Sequence, residues 1–272
     1  MTFKRPPVVE TVLGIQFERL SGLTNAHLGA FWHTRQASWP QVNDAPPLEE
    51  QFETFGEQSA WARALRLRLT QSPSARVQMR NETGDRMVQI QNCRLDYNWI
   101  ARPQQDYPRY RTVRPEFDEL LQAFAQFVGE HALGTLSPTQ WEVTYVNHIL
   151  KGTAWNEPQD WPEVIRSLPA MTSAPPETRL EGFGAHWHYE IEPRRGRLHV
   201  ELQHAVVEQP EKREALVMKL TARGPIGEDE DPNEAIDQGL NLGHNVIVSA
   251  FRDLTSQQAH DYWNMENQYA ER

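Results

Sequence analysis

The chain predicts an α+β fold in which one order of elements, strand, helix, three strands, helix, is used twice. Three observations carry that expectation. PPVVETVLGIQF (6–17) and PTQWEVTYVNHI (138–149) both open on proline, place a glutamate four residues later (Glu10, Glu142) and run on as apolar-rich strand. Each is followed by segments in which apolar and polar residues alternate, the period of a half-buried strand. Each half then closes on a wide apolar stripe at helical spacing.

In the first half, Pro6 and Pro7 fit the edge of a strand over Val8 to Phe17 and not its middle. Ser21-Gly22 turns the chain, and Thr24 caps a helix carrying Leu28, Phe31 and Trp32. Pro40 and NDAPP (43–47) end it, and a loop runs to about Gly56. ALRLRLT (64–70) sets Leu65, Leu67 and Leu69 against Arg66 and Arg68; ARVQMRN (75–81) sets Val77 and Met79 against Arg76, Gln78 and Arg80. After the turn ETGD, RMVQIQN returns, and RLDYNWI (94–100) is its continuation or a fourth strand. Pro115 suits the first position of a helix whose stripe is Phe117, Leu120, Leu121, Phe124, Phe127 and Val128.

In the second half, Asp160 and Pro162 open a short helix with Val164, Ile165 and Leu168 inward. After MTSAPPE (171–177) come GAHWHYEIE, RLHVELQHAVV and ALVMKLTAR, the first two joined by PRRG. Pro232 starts a long helix with Ile236, Leu240, Gly243, Ile247, Phe251 and Leu254 inward. Gly239 and Gly243 each weaken it by about 1 kcal/mol, which close approach to a sheet would explain. Thr255 to Gln258 matches a capping box for a last helix bearing Tyr262 and Trp263. The whole reads as a single domain of two pseudo-repeats, 6–134 and 138–254, plus a C-terminal helix over 255–268.

With one apolar face per strand, the two halves merge into one curved antiparallel sheet backed by helices. The order of elements resembles the duplicated, saddle-shaped fold of the TATA-binding protein; a helix-grip arrangement is the alternative.

A net charge of −10 disfavours general nucleic-acid binding, which depends on neutralising phosphates. Cys93 is the only cysteine, so no intrachain disulfide or cysteine-based zinc site forms, which fits a reducing cytoplasm. No signal peptide or membrane span is read, and no cofactor is expected. Motifs for serine hydrolases, P-loops, dinucleotide folds and zinc proteases are missing.

The polar alternates define an open sheet face. Its candidate ligand- or partner-binding residues are Arg66, Arg68, Arg80, His186, His188, His199, Glu201, Lys219 and Arg223, because guanidinium forks suit phosphate and carboxylate. The expected role is a non-enzymatic binding or adaptor module for a small anionic ligand or a partner protein, a homodimer being one form of partnership. The alternative is a metal-dependent enzyme on His186, His188, His199 and Glu201. HxH…E resembles the first cupin motif, but its leading glycine and the second motif are absent. A single-stranded nucleic-acid site using the first-half arginines with Tyr97 and Trp99 fails on alternation, which puts those rings on the apolar face. Glu10 and Glu142 are expected to pair across the repeat, and Tyr145, Asn147 and His148 to reach the open side.

The opening and central segments, with the closing FRDLTSQQAHDYW, resemble the hallmarks of a sporadically distributed bacterial family of uncharacterised proteins of similar length. The resemblance spans nearly the whole chain and implies no catalytic residues. Sporadic distribution implies carriage by accessory systems such as phage-defence loci.

Overall fold

The computed structural model describes residues 2–55, 75–169, 175–208 and 212–266. Among these, nine strands form one antiparallel sheet, and five helices accompany it. The sheet strands are β2 (Val8–Phe17), β3 (Gln41–Ala45), β4 (Arg76–Arg80), β5 (Arg86–Gln91), β6 (Arg94–Ile100), β7 (Pro138–Leu150), β8 (Gly184–Ile191), β9 (Gly196–Val207) and β10 (Arg213–Pro225). Their order is β3-β4-β5-β6-β2-β7-β10-β9-β8. Two short strands, β1 (Thr2–Phe3) and β11 (Met265–Glu266), pair separately. The helices are α1 (Asn25–Arg35), α2 (Tyr110–Glu130), α3 (Trp161–Val164), α4 (Pro232–Leu254) and α5 (Gln257–Tyr262).

β2 and β7 lie side by side at the centre, with Val12 opposite Thr144 and Gly14 opposite Glu142. The main core lies between the sheet and the helices. Phe117, Phe124 and Phe127 of α2 are buried, and Phe31 of α1 meets Phe124 and Phe127 edge-on at 5.6 and 5.2 Å. Over the second half, α4 crosses β7 and β10 on its buried stripe of Ile236, Leu240, Ile247 and Phe251. Gly239 and Gly243 bring it close, as their placement in the stripe predicts. A Cβ at Gly243 would stand 2.8 Å from Trp141 Cζ3 and 3.0 Å from Val143 Cγ2; one at Gly239 would overlap the Trp141 indole. The ring occupies the space the two missing side chains leave.

Several elements differ from the sequence expectation. QVNDA forms the edge strand β3, where a loop was expected: its residues are mostly exposed, so pairing with β4 and not burial makes it a strand. RLDYNWI is the separate strand β6, after a tight turn at Asn92 and Cys93. The strand expected over 64–70 lies outside the described residues. Helix α2 starts at Tyr110, so Pro115 sits inside it. Tyr110 stacks on His244 of α4 at 4.1 Å and Val113 is buried, which anchors the turn preceding the proline. The last helix is shorter than expected, and its cap is Ser256, whose hydroxyl accepts from the Ala259 N–H. Thr255 instead donates its hydroxyl to Phe251 O. Trp263 is buried against Phe251 at 5.2 Å, whereas Tyr262 points into solvent.

An alanine normally gains about 1 kcal/mol over glycine inside a helix. Gly239→Ala is expected to lose about 1–3 kcal/mol instead, because the new methyl meets the Trp141 ring. Urea unfolding of the variant decides the sign, and a gain would mean that α4 rides further from the sheet.

Candidate functional site

The face opposite α2 and α4 is assembled from the polar alternates. Register places Arg197, Arg223, Glu142, Gly14, Asp96, Gln89, Gln78 and Asn43 in one row across eight strands. A neighbouring row holds Gln140, Gln16, Arg94 and Gln91. Most of these side chains are buried, so the charged ones require partners.

The partners form a chain of alternating charge. Arg94 donates from Nε to both Asp96 oxygens (2.9 and 2.7 Å) and from Nη2 to Glu142 Oε1 (2.5 Å). It reaches over β2 at Gly14, where any Cβ would collide with the Asp96 carboxylate. Arg223 donates from Nη1 to Glu142 Oε2 (3.1 Å) and from Nε to Glu53 Oε1 (3.1 Å). Arg197 donates from Nη1 to Glu53 Oε2 (2.7 Å), and His199 Nε2 lies 2.7 Å from Glu53 Oε1.

Glu53 does not come from the sheet. It belongs to the segment 46–55 that follows β3 and lies across the polar face as a strap. Glutamine side chains from three strands grip the strap's backbone. Gln91 accepts from Leu48 N and donates to Leu48 O, both at 2.9 Å. Gln16 does the same to Gln51 at 2.7 and 2.6 Å, and Gln140 accepts from Glu53 N at 3.1 Å. Phe55 packs on the Arg197 guanidinium, 4.4 Å from its ring centre, and Arg197 also donates to Thr54 O. Within this chain the sheet supplies three arginines (94, 197, 223) but two carboxylates (96, 142); the strap supplies the third.

Burial and charge act on these carboxyls in opposite senses. Burial would raise Glu53, but His199, Arg197 and Arg223 outweigh it and hold the group at about 2. Asp96 is pushed up to about 6 by burial, helped by nearby Glu142 and opposed by Arg94. Glu10 is raised by burial, although it accepts from Asn98 Nδ2 at 2.6 Å.

The residues proposed from sequence divide into several groups. Arg66 and Arg68 lie outside the described residues. Arg80 is half-buried on β4, its guanidinium lowered by burial and by Arg102. His186 and His188 project from β8 opposite Glu201 and His199 of β9. Together the four line one shallow depression. Lys219 pairs with Glu201 at 3.1 Å near solvent. Arg223 is engaged by Glu53 and Glu142 as described. The histidine and carboxylate pairs do not converge: among the described residues no group of three or more His, Cys, Asp or Glu is placed to hold a metal ion.

Tyr145 and Asn147 face the helices and not the open side, because they alternate with Glu142, Thr144 and His148. Tyr107 donates to Tyr145 at 3.0 Å, whose hydroxyl is 2.8 Å from Nδ1 of His244. Burial lowers His244 to about 4, so its ring is neutral at pH 7. Glu142 pairs with arginines of both halves, whereas Glu10 meets an amide. Cys93 is a buried thiol raised by that burial. Asp231, in the acidic stretch GEDEDPNE (227–234), accepts from Asn233 and Glu234 N–H and so caps α4.

Sequence reasoning missed Arg94, Arg197, Gln16, Gln140 and Glu53 as members of the site. Alternation alone places Arg197 with His199, and Arg94 with Asp96. Nothing in PPLEEQFETF (46–55) distinguishes Glu53 from its acidic neighbours.

No protein-family model matches the chain, and no curated protein matches it. Among solved structures it is similar to DynU16, a protein in the dynemicin biosynthetic locus, at 9% identity. The likeness covers 90% of this chain and 97% of that one, with a TM-score of 0.24, too low to bear on fold or function.

Glu53 titrates at about 2 in the fold against an ordinary 4.5, so its stabilisation is complete above pH 4.5 and is lost as pH falls towards 2. The shift corresponds to about 3 kcal/mol. Asp96 runs the other way: its contribution is present below about pH 4 and is lost as pH rises through 6. Glu53→Gln is expected to cost about 3–5 kcal/mol at neutral pH, by leaving two buried guanidinium groups short of a counter-charge. The same change should flatten the stability profile below pH 4.5. Denaturant unfolding over a pH series checks both, and an acid limb identical to wild type would detach Glu53 from the arginines.

Proposed function

We propose that the protein is a non-enzymatic binding module that takes an anionic partner on its polar sheet face. The anion group, a carboxylate or a phosphate, is received by Arg197, Arg223 and His199. The observation that carries this reading is the convergence of these three side chains on a single carboxylate brought by a strap outside regular secondary structure. Glu53 is then a resident stand-in for the ligand, and binding exchanges one anion for another. Two guanidinium groups aimed at one carboxylate have the fork geometry that also suits phosphate. Arg80, Lys219, His186 and His188, on the same face beyond the strap, extend the surface for the rest of the partner.

We also read the fold as a duplicated unit. The strands β4-β5-β6-β2 are mirrored by β8-β9-β10-β7 about the central pair. Val12 and Thr144, equivalent residues of the two repeated segments, lie opposite each other there. A local twofold through that pair, and a saddle-like sheet, are what this register supports. The accessory, phage-defence setting belongs to the proposal through the family resemblance of the three sequence segments.

Isothermal titration with inorganic phosphate tests the cradle. Glu53→Ala is expected to bind phosphate measurably and more tightly than wild type, with affinity falling as salt rises. Arg223→Gln added to Glu53→Ala is expected to lose the heat signal. Absence of phosphate binding by folded Glu53→Ala, or binding that ignores Arg223, overturns the proposal.

A further inference from the structure

We propose that a second copy of this chain docks along β8, antiparallel and centred on His188, joining two sheets through their second-half edges.

Among the described residues, β8 is the outer strand on that side of the sheet. Its hydrogen-bonding parity follows from the bonds at its ends: Phe183 O accepts from His204 N, and Ile191 O accepts from Arg195 N. Odd-numbered residues therefore bond inward to β9, and His186, His188 and Glu190 turn their N–H and C=O groups outward. A row of such groups is a template for another strand.

The side chains select both occupant and register. With His188 opposite its own copy, the outward residues of the two strands bond each other. His186 then faces Glu190 of the second copy, twice by symmetry, placing imidazole beside carboxylate on the polar face. On the other face the same register sets Trp187 beside Tyr189. Tyr189 is 46% exposed. It is a large apolar side chain that the described residues leave uncovered.

The helix layer adds an independent observation. In the first half, α1 runs for 11 residues and packs on α2; the helix following β7, α3, has four. Beside α4 a groove of about 480 Å³ is left, lined by Tyr189, Leu198, Val246, Ala250 and Leu254. A strand pairing at β8 carries the second copy's Trp187 and Tyr189 to the mouth of that groove. The contact is isologous and closes as a dimer, so it blunts the edge without starting a filament.

Light scattering on the full chain across a dilution series is expected to show a monomer–dimer equilibrium. His188→Pro removes an outward N–H that bonds nothing among the described residues, and should weaken the dimer about tenfold or more with the circular dichroism spectrum retained. Glu190→Lys should weaken it too, and His186→Glu together with Glu190→Lys should restore it. Residues 186 and 190 are too far apart along a strand to touch within one chain, so rescue reports the contact between copies. A wild-type chain that stays monomeric at every concentration, a dimer indifferent to Glu190→Lys, or failure of the paired change to restore association overturns the proposal.

Discussion

The polar side of this sheet depends on arginines that each hold two carboxylates apart. Arg94 spans Asp96 and Glu142; Arg223 spans Glu142 and Glu53; Arg197 closes the end. The links cross β6, β7, β10, β9 and the strap, so the chain of charge ties four strands of the sheet to a segment that lies over them. Buried ion pairs gain little over apolar packing, but a member left alone is costly. This arrangement therefore contributes specificity of placement more than net stability. Asp96 and Glu142 fix where Arg94 lies, which requires the bare backbone at Gly14. Glu142 and Glu53 together fix Arg223.

The opposite side of the same strands is governed by shape. Trp141 neighbours Glu142 in sequence and points the other way, into the space left by Gly239 and Gly243. One dipeptide thus supplies the centre of the charge chain and the contact that seats α4. The strand carrying it is the longest neighbour of β2, and its alternation is strict enough for the two environments to remain separate.

Where a residue's role follows from alternation, the sequence makes it legible. The polar face, the apolar position of Tyr97 and Trp99, the inward stripe of α4 and the purpose of its glycines all follow from period and residue size. Strand β3 did not, because Asn43 and Asp44 have no strand preference and only the β4 edge holds them extended. Pro115 misled as a helix start because the true first turn is secured by contacts with α4, which are distant in sequence. Glu53 was hidden for a further reason. A strap has no periodicity, and its glutamate is singled out only by the arginines beneath it, which arrive some 140 residues later (Arg197) and beyond.

The central place of β2 has a consequence for how the chain is made. Val8–Phe17 precedes the other strands of the large sheet along the chain, yet it pairs with β6 on one side and β7 on the other. Until β7 has emerged, β2 remains an outer strand with one row of backbone groups unpaired. That exposed ribbon contains Leu13, Ile15 and Phe17, which end among the most deeply buried side chains. The nascent first half therefore passes through a period when its stickiest edge is open, and arrival of the second half is what seals it.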